Sequence, residues 1–296
     1  MRALLACLVA TLALPACGIS DLSGEDEDTS IDGPADGWGT SADPLLMPKV
    51  TVDYLKTHKW GMMHLKWHTE RRWDLMPASS LDYAKQHGWT RSTLQEGMTG
   101  NGIEFLAMHR MMMQMLIEEA PTTKKYFAGW TTPPTDPRDT RDPLPDGATD
   151  PFDDTMLMTI DRLENHLDTF TSDDELGRYI ETSLRPTKLQ PNRRTTDKSA
   201  GIHNYIHNRF ADPSSKIDVG DPTVNLQNKR FWRLHGWIDR IWTKYRALKG
   251  LTDDDPVYGA AMRKAMAEMP LDSKGLGDPV SDPPPAELTK WFENNP

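Results

Sequence analysis

Two pairs of histidines at helical spacing constrain the fold of this chain more than any other feature of its sequence. In GIHNYIHNRF, residues 201–210, the apolar residues recur at helical spacing, and His203 and His207 form a row beside them. HLKWH repeats the arrangement with His64 and His68. Because residues four apart lie one turn apart on the same face of an α-helix, each pair can share one metal ion.

A single histidine on another predicted helix follows each pair. His109 lies in FLAMHRMMMQML, after the first pair, and His235 lies in FWRLHGWIDRIW, after the second. This repeated order predicts a four-helix bundle with two three-histidine sites facing each other across its core. Imidazole binds zinc, copper, iron and nickel, so the spacing alone does not name the metal. A zinc-peptidase motif is excluded because it needs Glu directly after the first histidine, where Leu65 and Asn204 stand.

The rest of the chain combines helical patterning with long loops at 131–151 and 185–198, and strand signals are nearly absent. The sequence therefore predicts an all-α fold. We expect helices over 51–76, 102–119, 199–210, 225–248 and 256–268, two more between 152 and 183, and a last turn near Trp291. One helical domain is expected over 48–250, with a C-terminal helix and extended tail, 251–296, packing on it.

The N-terminus has the pattern of an export signal. Arg2 precedes an apolar run over residues 3–14 that is too short to span a bilayer. The run ends in LPAC, which resembles a bacterial lipobox and predicts a signal over 1–17 with lipidation of Cys17. An ordinary signal peptide cleaved nearby is the alternative. Residues 18–47, acidic and rich in Gly and Ser, are expected to form a flexible tether. The expected location is therefore the periplasmic or cell-surface side of a membrane, through an N-terminal lipid.

Charge and cysteine content narrow the possible functions. The formal net charge of −10 argues against a nucleic-acid partner, because a phosphate backbone calls for a basic face. The chain has 2 cysteines, Cys7 and Cys17, and both lie in the predicted signal. The mature chain therefore has no internal disulfide and no cysteine ligand within its fold.

Four segments resemble a known family. FLAMHR, 105–110, resembles the Phe-Leu-x-x-His-Arg signature of the first copper site in tyrosinases and other type-3 copper proteins. HNYIH, 203–207, followed by DP at 221–222 and HGWIDRIW at 235–242, resembles the second copper signature. The resemblance covers roughly residues 50–248. The chain is also similar to tyrosinase-like proteins linked to siderophore chromophore maturation.

This resemblance implies a type-3 copper oxidoreductase with two copper ions as cofactors and dioxygen as co-substrate. Its expected substrates are small phenols or catechols, which would be oxidised to o-quinones. The implied ligands are His64, His68 and His109 for the first copper, and His203, His207 and His235 for the second.

The first copper site departs from the tyrosinase pattern. In most tyrosinases its second ligand lies nine residues before the third, and Gly100 occupies that position in this chain. Either the pair His64 and His68 supplies the ligands, as in hemocyanin-like sites, or His87 replaces one of them. The altered site also leaves open an alternative function, a non-catalytic copper- or dioxygen-binding lipoprotein with a degenerate tyrosinase fold.

Three further residues receive roles from the resemblance or from their positions. In tyrosinases an Asn at the position of Asn204, with a nearby acid, positions a water that deprotonates monophenols. The segment before His203 offers only Asp197 as that acid, so oxidation of catechols is favoured over hydroxylation of phenols. Arg110 and Asp239 are expected to pair across the bundle and fix the two helices that carry the single histidines.

Overall fold

The structure is a computed structural model that describes residues 43–136, 142, 152, 154–182, 201–269 and 283–294. The chain divides into two units, Met1–Thr40 and Ser41–Pro296, and all described residues belong to the second. The predicted signal peptide, Cys17, most of the predicted tether and the loop 185–198 lie outside the described residues.

The described residues form ten α-helices and no strand, apart from one isolated bridge between Leu46 and Asn228. The predicted all-α fold is therefore confirmed. In chain order the helices are α1 Lys49–Thr57, α2 Trp60–Arg71, α3 Ala78–Gln86, α4 Asn101–Glu119, α5 Asp154–Asn165, α6 Asp173–Thr182, α7 Ile202–Phe210, α8 Lys229–Leu248, α9 Pro256–Glu268 and α10 Ala286–Asn294. None of these helices is both long and apolar enough to cross a membrane.

The helix expected over 51–76 is two helices, and the prediction of one continuous helix is wrong. His58 ends α1: its ring packs on Tyr54 at 4.2 Å between centroids, and its Nδ1 lies 3.0 Å from the Tyr54 carbonyl oxygen. Lys59 then adopts a left-handed conformation with φ of 52°, which turns the chain before α2 begins. A hydrophobic pattern continued across this break, so periodicity alone did not reveal it.

Helix α3 was not predicted, and it ends in the same way as α1. His87 stacks on Tyr83 with centroids 4.1 Å apart, and its Nδ1 lies 2.8 Å from the Tyr83 carbonyl oxygen. The two helix ends share the sequence pattern Tyr-x-x-x-His-x-Trp, because Trp60 and Trp89 follow the two histidines. This repeated pattern in the sequence is a local signal for where each helix stops.

Helix α4 lies at the centre of the domain, and most of its residues are buried. It approaches α6 so closely that only glycine fits at the crossing. A Cβ on Gly102 would lie 2.2 Å from the Asp174 carbonyl oxygen, and one on Gly177 would lie 2.1 Å from the Gly102 carbonyl oxygen. This crossing places α4, and with it His109, in the middle of the surrounding helices.

The two helices after residue 250 both pack on the rest of the domain. On α9, Glu268 accepts a hydrogen bond of 2.9 Å from the indole nitrogen of Trp67 on α2. On α10, Glu287 accepts a hydrogen bond of 2.6 Å from Ser79 on α3, and Leu288 and Phe292 are buried. The segment expected as a last turn near Trp291 is therefore a nine-residue helix.

Candidate metal centre

Four helices bring six histidine side chains into one buried cluster. Helix α2 carries two of them, α4 one, α7 two and α8 one: His64, His68, His109, His203, His207 and His235. Each is between 1% and 5% exposed. Imidazoles this deeply buried need polar partners or a metal ion, because an unpaired buried polar group destabilises the fold.

The first tight group consists of His64, His68 and His109, whose candidate ligand atoms all lie within 4.8 Å of one another. The Nε2 atoms of His64 and His68 are 3.1 Å apart, since the two rings project from the same face of α2. The ring of His109 lies 5.7 Å from that of His64 and 6.0 Å from that of His68. These are the three residues that the sequence assigned to the first copper.

The second tight group contains His109, His203 and His235, also within 4.8 Å. The rings of His109 and His235 stack at 3.9 Å with an angle of 6° between their planes. His207, which the sequence assigned to this site, adjoins the group: its ring lies 4.6 Å from that of His203 and 5.8 Å from that of His235. His109 therefore belongs to both groups, and its ring lies 6.0 Å from that of His68 and 6.0 Å from that of His203.

Carbonyl and amide oxygens orient four of the six rings through Nδ1. The distances are 2.9 Å from His109 to the Phe105 carbonyl, 2.8 Å from His207 to the Val219 carbonyl, 3.4 Å from His64 to the Pro222 carbonyl, and 2.9 Å from His203 to the Asn204 amide oxygen. An oxygen acceptor at Nδ1 requires the proton there, so Nε2 keeps its lone pair. This tautomer is the one in which Nε2 can bind a metal.

Several ring nitrogens in the cluster are buried without any hydrogen-bond partner. They are Nε2 of His109, Nε2 of His203, and both nitrogens of His235. Each such atom costs roughly 1–3 kcal/mol when left unsatisfied. A metal ion coordinated by these nitrogens would remove that cost, so the residues present fit a metal bound by imidazoles.

Burial lowers the pKa of all six histidines, because an imidazolium loses its hydration inside the fold. The pKa falls to about 3 for His109 and to about 4 for His207. Neighbouring imidazoles and the positive charge of Arg72 lower the pKa of His68 further. The cluster is therefore neutral at physiological pH, which is the state that binds metals.

A small cavity adjoins the cluster. Its wall is formed by residues of both histidine pairs, the loop after α7 and the C-terminal helix: His64, His68, Arg72, His203, His207, Val219, Gly220, Pro222, Asn225 and Phe292. It offers about 20 Å³ to the centre of a water-sized molecule, roughly the room of one water. Phe292 of α10 is 2% exposed, and its ring lies 6.3 Å from that of His68. The C-terminal helix therefore forms part of the cavity wall.

Asn204 joins the cluster to a buried ion pair that the sequence did not predict. Its Oδ1 accepts a hydrogen bond of 3.2 Å from Arg72 and also faces Nδ1 of His203. Nε of Arg72 forms an ion pair with Glu96, and both side chains are 1% exposed. Arg72 lies one helical turn after His68, and this spacing was a usable signal in the sequence. The sequence contains no comparable signal for Glu96, which is distant from Arg72 along the chain. Asp197 lies outside the described residues.

Arg110 and Asp239 form an ion pair between α4 and α8. Arg110 also donates a hydrogen bond of 2.8 Å to the hydroxyl of Thr243, and its guanidinium lies 3.9 Å from the ring centroid of Trp242. Each of the two paired residues is close in sequence to a histidine of the cluster, His109 or His235. The pair therefore ties together the two helices whose histidine rings stack.

His87 is not part of the cluster. It ends α3, where it stacks on Tyr83 and lies 6.2 Å from the ring of Trp89, and it belongs to neither tight histidine group. The structure therefore does not bring His87 to the cluster in place of His64 or His68. The physical reason is that its Nδ1 forms a hydrogen bond with the Tyr83 carbonyl oxygen at the end of its own helix.

The fold and the cluster define a class: an all-α protein with two groups of buried histidines that could hold metal. The chain is 38% identical over 89 residues to a hemocyanin from Scutigera coleoptrata, a match covering 27% of this chain and 12% of that hemocyanin. No family model and no solved structure matches the chain. The partial similarity to a type-3 copper protein agrees with the histidine groups in indicating metal binding.

Proposed function

We propose that this protein is a type-3 copper oxidoreductase that oxidises catechols to o-quinones with dioxygen. The stacking of His109 on His235, at the centre of a six-histidine cluster from four helices, carries the proposal. The first copper would be bound by His64, His68 and His109, and the second by His203, His207 and His235. Bound copper would supply the redox chemistry with dioxygen, while the protein controls geometry and access.

The residues of the chain would keep this centre neutral, oriented and dry. Two phenylalanines pack against the imidazoles: the ring of Phe105 lies 4.9 Å from that of His203, and the ring of Phe231 lies 4.2 Å from that of His235. Both are fully buried. Such apolar neighbours exclude water and preserve the low pKa of the ligands, so each imidazole stays in its metal-binding form.

The surroundings of Asn204 favour oxidation of catechols over hydroxylation of phenols. Its Oδ1 already faces two donors, Nδ1 of His203 and Nη2 of Arg72. This arrangement supports a role for Asn204 in orienting the imidazole of His203. The tyrosinase resemblance implied a different role, in which Asn204 holds a water. A catechol already carries both hydroxyl groups and needs no hydroxylation step. Its oxidation therefore depends less on a base held by a water than hydroxylation of a phenol does.

A second candidate is a copper protein that binds dioxygen without oxidising a phenol. The small cavity favours it, because about 20 Å³ accommodates a molecule of the size of water and no aromatic ring while Phe292 is in place. The partial similarity to a hemocyanin supports the same candidate. The two candidates share the metal centre and differ in whether α10 moves aside for a substrate.

The location and the subfamily are proposals that rest on sequence alone. LPAC and the apolar run before it support export and a lipid anchor at Cys17, with the domain on the periplasmic or cell-surface side. The tyrosinase-like signatures at 105–110 and 203–207 support the type-3 copper family, and membership in the siderophore-maturation subfamily is a proposal from overall resemblance. Labelled palmitate incorporated by wild-type cells and absent from a Cys17→Ala variant would support the anchor, and equal labelling of both would contradict it.

Copper loading tests the proposed function directly. Protein loaded with Cu(I) without oxygen and then exposed to air should bind two coppers and develop a near-ultraviolet charge-transfer band. Oxygen uptake with a catechol then separates the oxidase from the dioxygen-binding candidate. His235→Ala should abolish the band, and His166→Ala, which alters an exposed histidine, should not. Copper at background level in the wild type would contradict both candidates.

A further inference from the structure

The side-chain amide of Asn204 has two ends that would affect the neighbouring His203 in opposite ways. Its oxygen accepts hydrogen bonds, and its NH2 group donates them. With the oxygen towards Nδ1 of His203, the imidazole carries its proton on Nδ1 and keeps a lone pair on Nε2. With the NH2 group in that place, the proton moves to Nε2, which then cannot bind a metal. The orientation of this amide therefore decides whether Nε2 of His203 is available as a ligand atom.

Arg72 contacts the same amide oxygen as His203 does. Nη2 of Arg72 lies 3.2 Å from Oδ1 of Asn204, and Oδ1 lies 2.9 Å from Nδ1 of His203. A guanidinium has N–H donors and no acceptor, so an amide beside it must present its oxygen. Nδ2 of Asn204 is buried and has no hydrogen-bond partner among the described residues. The amide thus keeps this orientation although its donor end is unsatisfied, which indicates that the contact with Arg72 holds it.

Glu96 in turn holds the guanidinium of Arg72. Nε of Arg72 forms an ion pair with Glu96, and both side chains are 1% exposed. The backbone N–H of Glu96 donates a hydrogen bond of 2.8 Å to the carbonyl oxygen of Arg71, the last residue of α2. The segment that carries Glu96 is therefore attached to the end of α2 through its backbone as well as its side chain.

This chain of contacts joins the two proposed metal sites. Arg72 lies one helical turn after His68, a proposed ligand of the first copper, and Asn204 directly follows His203, a proposed ligand of the second. The rings of His68 and His203 lie 6.4 Å apart with an angle of 16° between their planes. The hydrogen bond from Arg72 to Asn204 therefore links the end of the helix that carries one site to a ligand of the other.

We infer that Arg72 is a positioning residue for the second metal site. It fixes the Asn204 amide and thereby holds His203 in the tautomer whose Nε2 can bind a metal. Glu96 keeps the guanidinium in place, and its carboxylate offsets a positive charge that would otherwise repel a metal ion. The inference rests on the proposed function only for the identity of the metal, because the tautomer is a property of the metal-free protein.

Heteronuclear NMR of the metal-free full chain, isotopically labelled at the histidine nitrogens, tests this inference without turnover. Protonated and unprotonated ring nitrogens have well-separated chemical shifts, so the spectrum reports the tautomer. The resonances of His203 are identified by their absence from the spectrum of His203→Gln. At neutral pH, Nδ1 of His203 should carry the proton and Nε2 should not. The opposite tautomer, or a mixture of the two, in the wild type would overturn the inference.

Two variants of Arg72 distinguish positioning from a general structural effect. Arg72→Gln/Glu96→Gln removes both charges, so no unpaired charge stays buried. A glutamine can present either end of its amide to Asn204, so His203 should then populate both tautomers. Arg72→Lys supplies a group that only donates, and it should keep the wild-type tautomer. An unchanged tautomer in Arg72→Gln/Glu96→Gln, or a mixture in Arg72→Lys, would contradict the role of Arg72.

Zinc binding to the metal-free protein gives a second readout, since zinc binds imidazole and has no redox chemistry. Loss of a group that orients a ligand lowers metal affinity about 10–100-fold. Arg72→Gln/Glu96→Gln should therefore weaken binding of the second zinc by about tenfold or more and change the first much less. Equal weakening of both would indicate a structural effect and overturn the inference.

Arg246→Gln/Asp173→Asn is the matched control. It removes another buried ion pair, one between α8 and α6 whose described contacts include none of the six clustered histidines. Both zinc affinities and the tautomer of His203 should stay as in the wild type. A tautomer change of the same size in this control would show that loss of any buried ion pair disturbs His203, which would contradict a specific role for Arg72.

Copper loading separates failure of this inference from failure of the proposed function. Protein that binds two coppers and oxidises a catechol, with the same His203 tautomer in the wild type and in Arg72→Gln/Glu96→Gln, would contradict the role of Arg72 and leave the oxidase standing. A tautomer that depends on Arg72 in a protein that takes up no copper would contradict the oxidase and leave the positioning role standing.

Discussion

The imidazole of His109 stacks on that of His235, with centroids 3.9 Å apart and planes inclined by 6°. The two residues lie on α4 and α8, and no hydrogen bond joins them to each other among the described contacts. Their Nε2 atoms are both buried without a partner. The stacking of two neutral rings stabilises the fold less than the loss of water from their ring nitrogens destabilises it. A shared role in binding metal is therefore the best explanation of the arrangement.

His109→Ala should leave about one copper per chain, because it removes one of the three proposed ligands of the first copper. His109 belongs to both tight groups, but its Nδ1 faces the Phe105 carbonyl oxygen, so only its Nε2 can bind a metal and it serves one copper. His207→Ala, which alters a residue adjoining only the second group, should leave about one copper per chain. Elemental analysis after dialysis measures the copper content. Two coppers retained by His109→Ala would contradict its central position.

Asp239→Asn should destabilise the protein by about 3 kcal/mol and reduce copper content. The change leaves the buried Arg110 without its counter-charge, and breaking one half of a buried pair carries a cost of this order. The double variant Arg110→Met/Asp239→Leu should recover much of the stability, because it leaves no charge behind. Urea unfolding measures both. Wild-type copper content and activity in Asp239→Asn would show that the pair does not support the centre.

The metal-free protein should lose stability as the pH falls from 6.5 towards 4. The pKa of His207 is about 4 in the fold and 6.5 in the unfolded chain, so the unfolded chain binds the extra proton in this window. For each buried histidine, the free energy of unfolding falls by about 1.4 kcal/mol for each unit by which the pH is lowered in this window. His109 extends the effect to about pH 3, because its pKa in the fold is about 3. Thermal unfolding at several pH values measures it.

A matched pair of variants isolates the contribution of His207 to this acid sensitivity. His207→Gln should reduce the slope of stability against pH by about one proton, because one titrating group is gone. His166→Gln alters an exposed histidine and should leave the slope unchanged. Equal slopes for the wild type and His207→Gln would show that the buried cluster is not what makes the fold sensitive to acid.

Phe292→Ala should open the cavity and raise kcat/KM for catechol oxidation, at a stability cost of about 3 kcal/mol. The ring lines the cavity together with His68 and Arg72, so its removal gives a substrate ring room to enter. Trp291→Ala is the control, because that neighbouring side chain does not line the cavity. Oxygen uptake measures the effect. No oxidation by a copper-loaded Phe292→Ala protein would favour the dioxygen-binding candidate.

Helical periodicity in the sequence was enough to find most helices and all six clustered histidines. The pattern is local: His203 and His207 stand one turn apart whatever surrounds α7, and the same holds for His64 and His68 on α2. The start of α6 carries a local signal too: Ser172 precedes the helix, and it accepts a hydrogen bond from the backbone of Glu175. The break at Lys59 was not readable, because apolar residues continue on both sides of it.

Only the tertiary structure decided which distant groups meet at the cluster. Arg72, which forms an ion pair with Glu96, donates a hydrogen bond to Asn204, which is remote from it in the sequence. Phe292, on α10, lines the cavity beside the cluster. The sharing of His109 between both groups follows from the packing of α4, with its glycine crossing, among the other helices. The sequence by itself determined the helices and which of their faces carry imidazoles, because those depend on neighbours within one turn. Packing determined how the faces converge, because contacts between remote segments leave no periodic signal.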